Sequence, residues 1–187
     1  NIKAMFLVST APCPSGWFGT SCRYQCHCDV HTACALEDGS CAVDDRCVRG
    51  YFGPGCQYND ISLLSSVYST PPYLLDNNDS TCNPDPTDTQ VFLNWQVAYV
   101  IYWFRIVLSN SRNLHNFRLT LQGETCINQR IYSVAETSID VTCDNTRTIQ
   151  WIDLTGAAVS SLCSIYISVG EYDSEQFVFC LHQHRLV

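Results

Sequence analysis

Residues 13–22 read CPSGWFGTSC, and residues 47–56 read CVRGYFGPGC. Both stretches share one pattern: a cysteine, two residues, a glycine, an aromatic residue, Phe-Gly, two residues and a second cysteine. Two cysteines this close predict a short loop closed by a disulfide, with glycines supplying the turns that need positive φ. So short a unit buries too little apolar surface to fold unaided, so the repeat predicts a fold held by disulfides.

Cysteine density divides the 187-residue chain into two regions. Eight of the 13 cysteines lie between Cys13 and Cys56, and the other five are spread from Cys82 to Cys180. Such cysteine usage predicts an oxidising compartment and a secreted, extracellular protein. The chain begins with asparagine, and we expect its leader to have been removed already. The sequon at Asn78 fits secretion.

Charge and hydropathy narrow the classes of partner. The net charge is −8 and Lys3 is the single lysine, which disfavours nucleic acid and anionic membrane surfaces as partners. The most apolar run, residues 97–108, is interrupted by Arg105 and too short to span a bilayer. We expect neither nucleic-acid binding nor a membrane span.

The first region resembles the laminin-type and scavenger-receptor-type epidermal-growth-factor-like (EGF-like) module, through the two glycine-aromatic loops and the cysteines between them. The resemblance implies an EGF-like module over residues 26–58, preceded by residues 1–25 with the closing loop of a truncated module. Ala42–Arg46 form a longer spacer between the fourth and fifth cysteines than the family commonly has. The disulfides implied are Cys13–Cys22, Cys26–Cys34, Cys28–Cys41 and Cys47–Cys56.

Two metal-binding alternatives exist for this region. Zinc could use Cys26 and Cys28 with His27 and His31, but the secreted context and the repeat favour disulfides. A calcium-binding EGF module is disfavoured, because Asp44 and Asp45 lie between the fourth and fifth cysteines and not at the entry to the module.

The second region reads as short alternating strands separated by Asn, Ser, Asp, Gly and Pro, which predicts an all-β sandwich. The strand-like stretches lie at residues 91–98, 99–109, 117–123, 148–154 and 164–169.

This region resembles the discoidin, or coagulation-factor-5/8-type, galactose-binding domain, and within it the fucolectin-like branch. The similar motifs are DISLLSSVYST at 60–70, YLLDNNDSTC at 73–82, Trp95, YVIYWFRIVLSN at 99–110 and LCSIYISV at 162–169. The resemblance implies a discoidin-like jelly-roll sandwich over residues 59–173, followed by a tail at 174–187. It also implies the disulfides Cys82–Cys163 and Cys126–Cys143.

The family resemblance names two kinds of site. The one cofactor that the resemblance implies is a structural calcium ion, whose ligands would be Asp76, Asn78, Asp79 and Ser80. Two alternatives exist for the same stretch: Asn78 also heads the sequon, and the residues are equally typical of a plain Asx-rich turn. Fucolectins bind sugar through a histidine and two arginines in a fixed string that is absent here. Arg112 and His115 are the candidate ligand-binding residues; alternatively, these two and Arg130 are solvated loop residues.

Cys180 is left over when the six implied disulfides are formed. An odd cysteine in a secreted protein predicts a covalent link to a partner, or else a free or buried thiol. A metal site at Cys180, His182 and His184 is the weaker alternative.

No catalytic motif stands out, so we expect a non-enzymatic role. The leading hypothesis is a secreted recognition or adhesion protein whose sandwich loops bind a glycan or an extracellular protein. The alternative is a structural or linker subunit of a disulfide-linked assembly, held through Cys180 and without sugar binding.

Overall fold

The computed structural model describes residues 12–29, 34–42, 46–53, 55–64 and 70–169. The chain divides into two compact units, Asn1–Tyr58 and Asn59–Val187. Within the described residues the regular structure is β-strand and short 3₁₀-helix, and none of these helices is long and apolar enough to cross a membrane. Cys180 and the tail from residue 174, with His182 and His184, lie outside the described residues, as do residues 170–173 and His31.

The first unit contains two small two-stranded sheets, β1–β2, which is antiparallel, and β3–β4. Their strands are β1 Trp17–Phe18, β2 Tyr24–Gln25, β3 Tyr51–Phe52 and β4 Tyr58–Asn59. Four disulfides hold the unit: Cys13–Cys22, Cys26–Cys34, Cys28–Cys41 and Cys47–Cys56. These are the pairs that the EGF-like resemblance implies.

The two sequence repeats fold into the same local structure. Phe18 packs on Tyr24 with ring centroids 5.5 Å apart, and Phe52 packs on Tyr58 at the same distance. The second glycine of each repeat has positive φ, and a Cβ there would lie within 3.0 Å of the tyrosine ring. The repeat therefore includes a tyrosine two positions after its second cysteine.

The disulfides also account for the cysteines and histidine that could suggest zinc. Cys26 and Cys28 are both oxidised, so they offer no thiolate to a metal. His27 stacks on Tyr51, with ring centroids 3.7 Å apart, and its Nδ1 lies 3.0 Å from the carbonyl oxygen of Cys56. The closest cysteine cluster, Cys28, Cys41 and Cys56, consists of sulfurs already in disulfides. The zinc alternative does not fit.

The second unit is a two-layer β-sandwich. One sheet has the order β12-β6-β10-β9 and the other has the order β5-β11-β7-β8, with antiparallel pairing throughout. The strands are β5 Gln90–Tyr99, β6 Trp103–Leu108, β7 Arg118–Leu121, β8 Glu124–Thr125, β9 Arg130–Ala135, β10 Ser138–Thr142, β11 Ile149–Thr155 and β12 Leu162–Ser168.

Apolar side chains that alternate with outward-facing residues along the strands form the core between the two sheets. Leu93, Leu119 and Ile152 from one sheet share a single buried cluster with Phe104 and Ile165 from the other. Each of these five side chains is at most 1% exposed. Cys82–Cys163 and Cys126–Cys143, the pairs implied by the discoidin resemblance, connect loops to this framework.

A buried carboxylate fixes the start of the sandwich. Asp60 accepts hydrogen bonds from the backbone N–H and the hydroxyl of Ser62 and from the backbone N–H of Ile167, at 2.8–2.9 Å. Burial raises the pKa of the Asp60 carboxyl, and the three hydrogen bonds oppose that rise. The segment before the 3₁₀-helix Ser62–Leu64 is thereby tied to β12.

Candidate functional site

The loop that carries Arg112 and His115 lies at one end of the sandwich, between β6 and β7. Its backbone interlocks with residues 156–161, since Ser109 N–H donates to Ser161 O at 2.8 Å and Ala158 N–H to Asn116 O at 3.0 Å. The Arg112 and His115 side chains are exposed and make no side-chain hydrogen bond or ion pair among the described residues. The structure does not bring a set of polar partners around them.

The opposite end of the sandwich gathers a larger set of polar side chains. Strand pairing brings the β7–β8 turn beside the β10–β11 loop. In this register β11 pairs with β7 through Ile152 and Leu121, and with β5 through Ile149 and Tyr99. Because β7 runs from Arg118 to Leu121, this end is the far one from the Arg112 loop.

A shallow pocket of about 100 Å³ lies at this end. We call it the Arg147 groove, and its lining residues are Leu121, Gln122, Glu124, Thr125, Ile127, Asn145, Arg147, Thr148 and Ile149. Hydrogen-bonding side chains dominate the set, and Ile127 adds an apolar surface that is 56% exposed. The groove therefore presents donors, acceptors and one exposed aliphatic side chain together.

An ion pair spans the groove. Arg147 Nη1 donates to both carboxylate oxygens of Glu124, at 3.0 and 3.3 Å. The two side chains are 75% and 63% exposed, so the pair contributes little to stability. Beneath it, the buried Asn145 accepts from Arg147 N–H and donates to Arg147 O, which fixes the backbone that presents the guanidinium.

A second polar cluster adjoins the groove. Asp144 accepts from Arg130 Nη2 at 3.1 Å and from Asn128 Nδ2 at 3.0 Å. Asp144 N–H donates to Ile127 O at 2.9 Å, and the Cys126–Cys143 disulfide joins the same two loops. Arg130 is thus part of an ordered network and is not a freely solvated residue.

Two non-glycine residues with left-handed backbone, Gln122 and Asn128, lie at this end. Gln122 has φ of 50° and Gly123 has φ of 82°, as a tight hairpin turn with two left-handed residues requires. Asn128 has φ of 49°. Left-handed non-glycine residues are costly and cluster at functional sites, so these positions agree with a binding role for this end.

The Asx-rich loop at 76–80 forms a self-contained turn. Asp76 Oδ1 accepts from Asn78 N–H at 2.9 Å, and Asn78 Oδ1 accepts from Ser80 N–H at 3.1 Å. Asp79 Oδ1 accepts from the Tyr166 hydroxyl at 2.6 Å, and burial together with this carboxylate raises the pKa of Tyr166. Asp76 and Asn78 thus form two consecutive Asx turns while Asp79 binds Tyr166, which is the Asx-rich turn that the sequence also predicts, and calcium binding at this loop stays a prediction.

Asn78 is expected to carry an N-linked glycan, because its side chain is exposed and its Nδ2 makes no hydrogen bond among the described residues. Protein secreted from a eukaryotic host should lose mass on treatment with peptide N-glycosidase, with conversion of Asn78 to aspartate. Asn78→Gln should abolish the shift, whereas Asn110→Gln, outside any sequon, should leave it. Finding unmodified Asn78 throughout the mature protein would contradict the prediction.

No protein-family model matches the chain. No curated protein matches it either. Among solved structures, it is similar to CBM32-1 from a family 31 glycoside hydrolase of Clostridium perfringens. The identity is 11%, the match covers 56% of this chain and 87% of that one, and the TM-score is 0.36. A likeness this low does not carry over the ligand or the site of that module.

Sequence reasoning missed most of the groove. Glu124 and Arg147 are 23 residues apart, and only strand register brings them together. Two local features could have pointed there: the Gln122-Gly123 pair, which suits a two-residue hairpin turn, and the Cys126–Cys143 pair, which staples the neighbouring loops.

Proposed function

We propose that this protein is a secreted recognition protein, not an enzyme, whose β-sandwich binds a glycan through the Arg147 groove. The EGF-like interpretation of residues 26–58 and the discoidin-like interpretation of residues 59–173 belong to this proposal. The six disulfides support it, because they coincide with the pairs that those two resemblances imply. They also fit an oxidising, extracellular setting.

The observation that carries the proposal is the exposed Glu124–Arg147 pair in a groove beside Ile127. A guanidinium only donates hydrogen bonds and a carboxylate only accepts them, whereas each sugar hydroxyl does both. Neighbouring hydroxyls can therefore satisfy both members of the pair, while Ile127 covers the C–H face of the ring. Hydrogen bonds to charged groups are about twice as strong as neutral ones, so the pair suits specific binding.

Arg147→Ala is expected to weaken glycan binding by roughly 10- to 100-fold, since a hydrogen bond to a charged group contributes about 1.5–3 kcal/mol. The fold should remain intact, because an exposed ion pair adds about 0–1 kcal/mol to stability. The measurement is a glycan array on the wild type, with and without calcium, followed by titration of the glycans that bind.

Arg112→Ala is the matched control, an exposed arginine at the opposite end of the sandwich. It should bind like the wild type. No binding of the wild type to any glycan would contradict the proposal. Loss of binding in Arg112→Ala, with binding retained in Arg147→Ala, would also contradict the proposal and would place the glycan site at Arg112 and His115.

A second candidate function is a subunit of a disulfide-linked extracellular assembly without sugar binding. The observation that favours it is that twelve of the 13 cysteines are paired with one another, which leaves Cys180 over. Non-reducing electrophoresis should then show a covalent oligomer that reduction converts to monomer. A monomer with a free thiol at Cys180 by mass spectrometry would exclude this role.

A further inference from the structure

The outward face of the β5-β11-β7-β8 sheet carries two aromatic side chains among polar ones. Leu93, Ile152 and Leu119 point into the core, so their strand neighbours point outward. We call the outward set Phe92, Asn94, Thr120, Trp151 and Asp153 the Trp151 face. Register makes them neighbours, since Trp151 is opposite Asn94, and Asp153 is opposite both Phe92 and Thr120.

The two aromatic rings form one partly exposed surface. The centroids of Phe92 and Trp151 are 5.2 Å apart and the rings are tilted by 35°. Both residues are of intermediate burial, although aromatic side chains of this size are normally buried further. Asp153 accepts two hydrogen bonds from Gln90 Nε2, each 2.9 Å long, so the polar edge of the surface is ordered.

The Trp151 face is continuous with the Arg147 groove. Gln122 lines the groove, and a Cβ on its neighbour Gly123 would lie 3.6 Å from Trp151 Cη2. Gln150 N–H donates to Gln122 Oε1 at 2.6 Å, which fixes that turn against the strand carrying Trp151. A molecule seated in the groove and extending past Gly123 would next meet the Trp151 ring.

We infer that the protein binds an oligosaccharide chain, with one end in the Arg147 groove and further sugar units stacked on Trp151 and Phe92. The inference rests on the proposed function and adds the length and charge class of the ligand. Aromatic faces pack against the C–H faces of sugars, and Asn94, Thr120 and Asp153 offer hydrogen bonds to their hydroxyls. The groove of about 100 Å³ is too small to enclose such a chain, so additional units must lie outside it.

The charge of the surface selects a neutral chain. The charged side chains along the path are mixed in sign, since Glu124 and Asp153 are matched by Arg147 and Arg118, so the surface offers no cationic excess to a sulfated chain or one rich in uronic acid. The span from Asn94 to Gln90 along β5 is roughly 13 Å at about 3.3 Å per residue, which accommodates more than one sugar unit.

The test compares neutral mono-, di- and tetrasaccharides on the full chain by isothermal titration. The wild type should bind the tetrasaccharide at least about tenfold more tightly than the shorter sugar that fills the groove. Trp151→Ala should remove that gain while it leaves the affinity for the short sugar within about twofold. Trp151→Phe, which keeps a ring, should retain most of the gain, and Phe92→Ala provides a second variant if Trp151→Ala does not fold.

The outcomes separate this inference from the proposed function. Equal affinity of the wild type for short and long sugars, or equal losses for both in the folded variants, would overturn the inference and leave the groove proposal standing. A loss of roughly 10- to 100-fold in Arg147→Ala, with the length effect preserved in Arg112→Ala, supports both. Failure of the wild type to bind any glycan, or tighter binding of acidic chains than neutral ones, would overturn the inference.

Discussion

Replacing Arg105 with methionine is expected to destabilise the sandwich by about 3–5 kcal/mol, because it leaves the Asp140 carboxylate buried without its partner. The two residues are opposite each other on β6 and β10. Arg105 Nε donates to Asp140 Oδ1 at 2.7 Å and Nη2 to Oδ2 at 2.9 Å. The side chain of Asp140 is only 4% exposed, and that of Arg105 is 15% exposed.

Urea unfolding of the purified variants measures this effect. Arg147→Met is the control, since it breaks the exposed pair with Glu124 and should cost about 1 kcal/mol or less. The double variant Arg105→Met/Asp140→Leu should recover part of the loss, because it removes the buried charge as well as its partner. A loss below about 1 kcal/mol for Arg105→Met would show that water or another group compensates Asp140.

Gly156→Ala is expected to cost about 3 kcal/mol or more, from backbone strain and a steric clash together. Gly156 has φ of 119° and ψ of −179°, a region that only glycine adopts readily. A Cβ there would lie 2.6 Å from the carbonyl oxygen of Asn116, which accepts the N–H of Ala158. The loop that carries Arg112 and His115 is fixed through these contacts.

Gly123→Ala is the matched comparison for thermal unfolding. It also has positive φ, but its Cβ would meet only Trp151, at 3.6 Å, so only backbone strain of about 1–2 kcal/mol is expected. Near-equal losses of stability in Gly156→Ala and Gly123→Ala would mean that the backbone of Asn116 moves to accommodate a Cβ at position 156.

The loop that the sequence predicts as the ligand site lies at the opposite end of the sandwich from the Arg147 groove that we propose. Arg112 and His115 have the residue types of a sugar site, but their loop uses its backbone to join residues 156–161. The Arg147 groove, in contrast, consists of residues from a hairpin turn, a disulfide-stapled loop and the start of β11. Sequence patterns do not reveal strand register between distant segments, so the pairing of Glu124 with Arg147 could not be foreseen.

The fold was easier to predict from the sequence than the candidate site, for reasons that differ between the two units. In the first unit the repeat is local: glycine, aromatic and cysteine positions determine each loop within ten residues, so the pattern alone suffices. In the second unit, five strand-like stretches correspond to β5, β6, β7, β11 and β12. Strands β8, β9 and β10 were not anticipated. β9 is an edge strand with mostly exposed residues, and β10 buries polar Ser138, Asp140 and Thr142 along with its apolar residues.

Backbone amide NMR of the full chain, titrated with the neutral oligosaccharide that an array selects, tests the central proposal most directly. Shifts should concentrate at residues 122–127 and 145–149 of the Arg147 groove, with a second set around Trp151. Residues 109–117, which carry Arg112 and His115, should stay unchanged. Shifts confined to residues 109–117, or saturable binding that leaves the groove unperturbed, would contradict the assignment of the Arg147 groove as the glycan site.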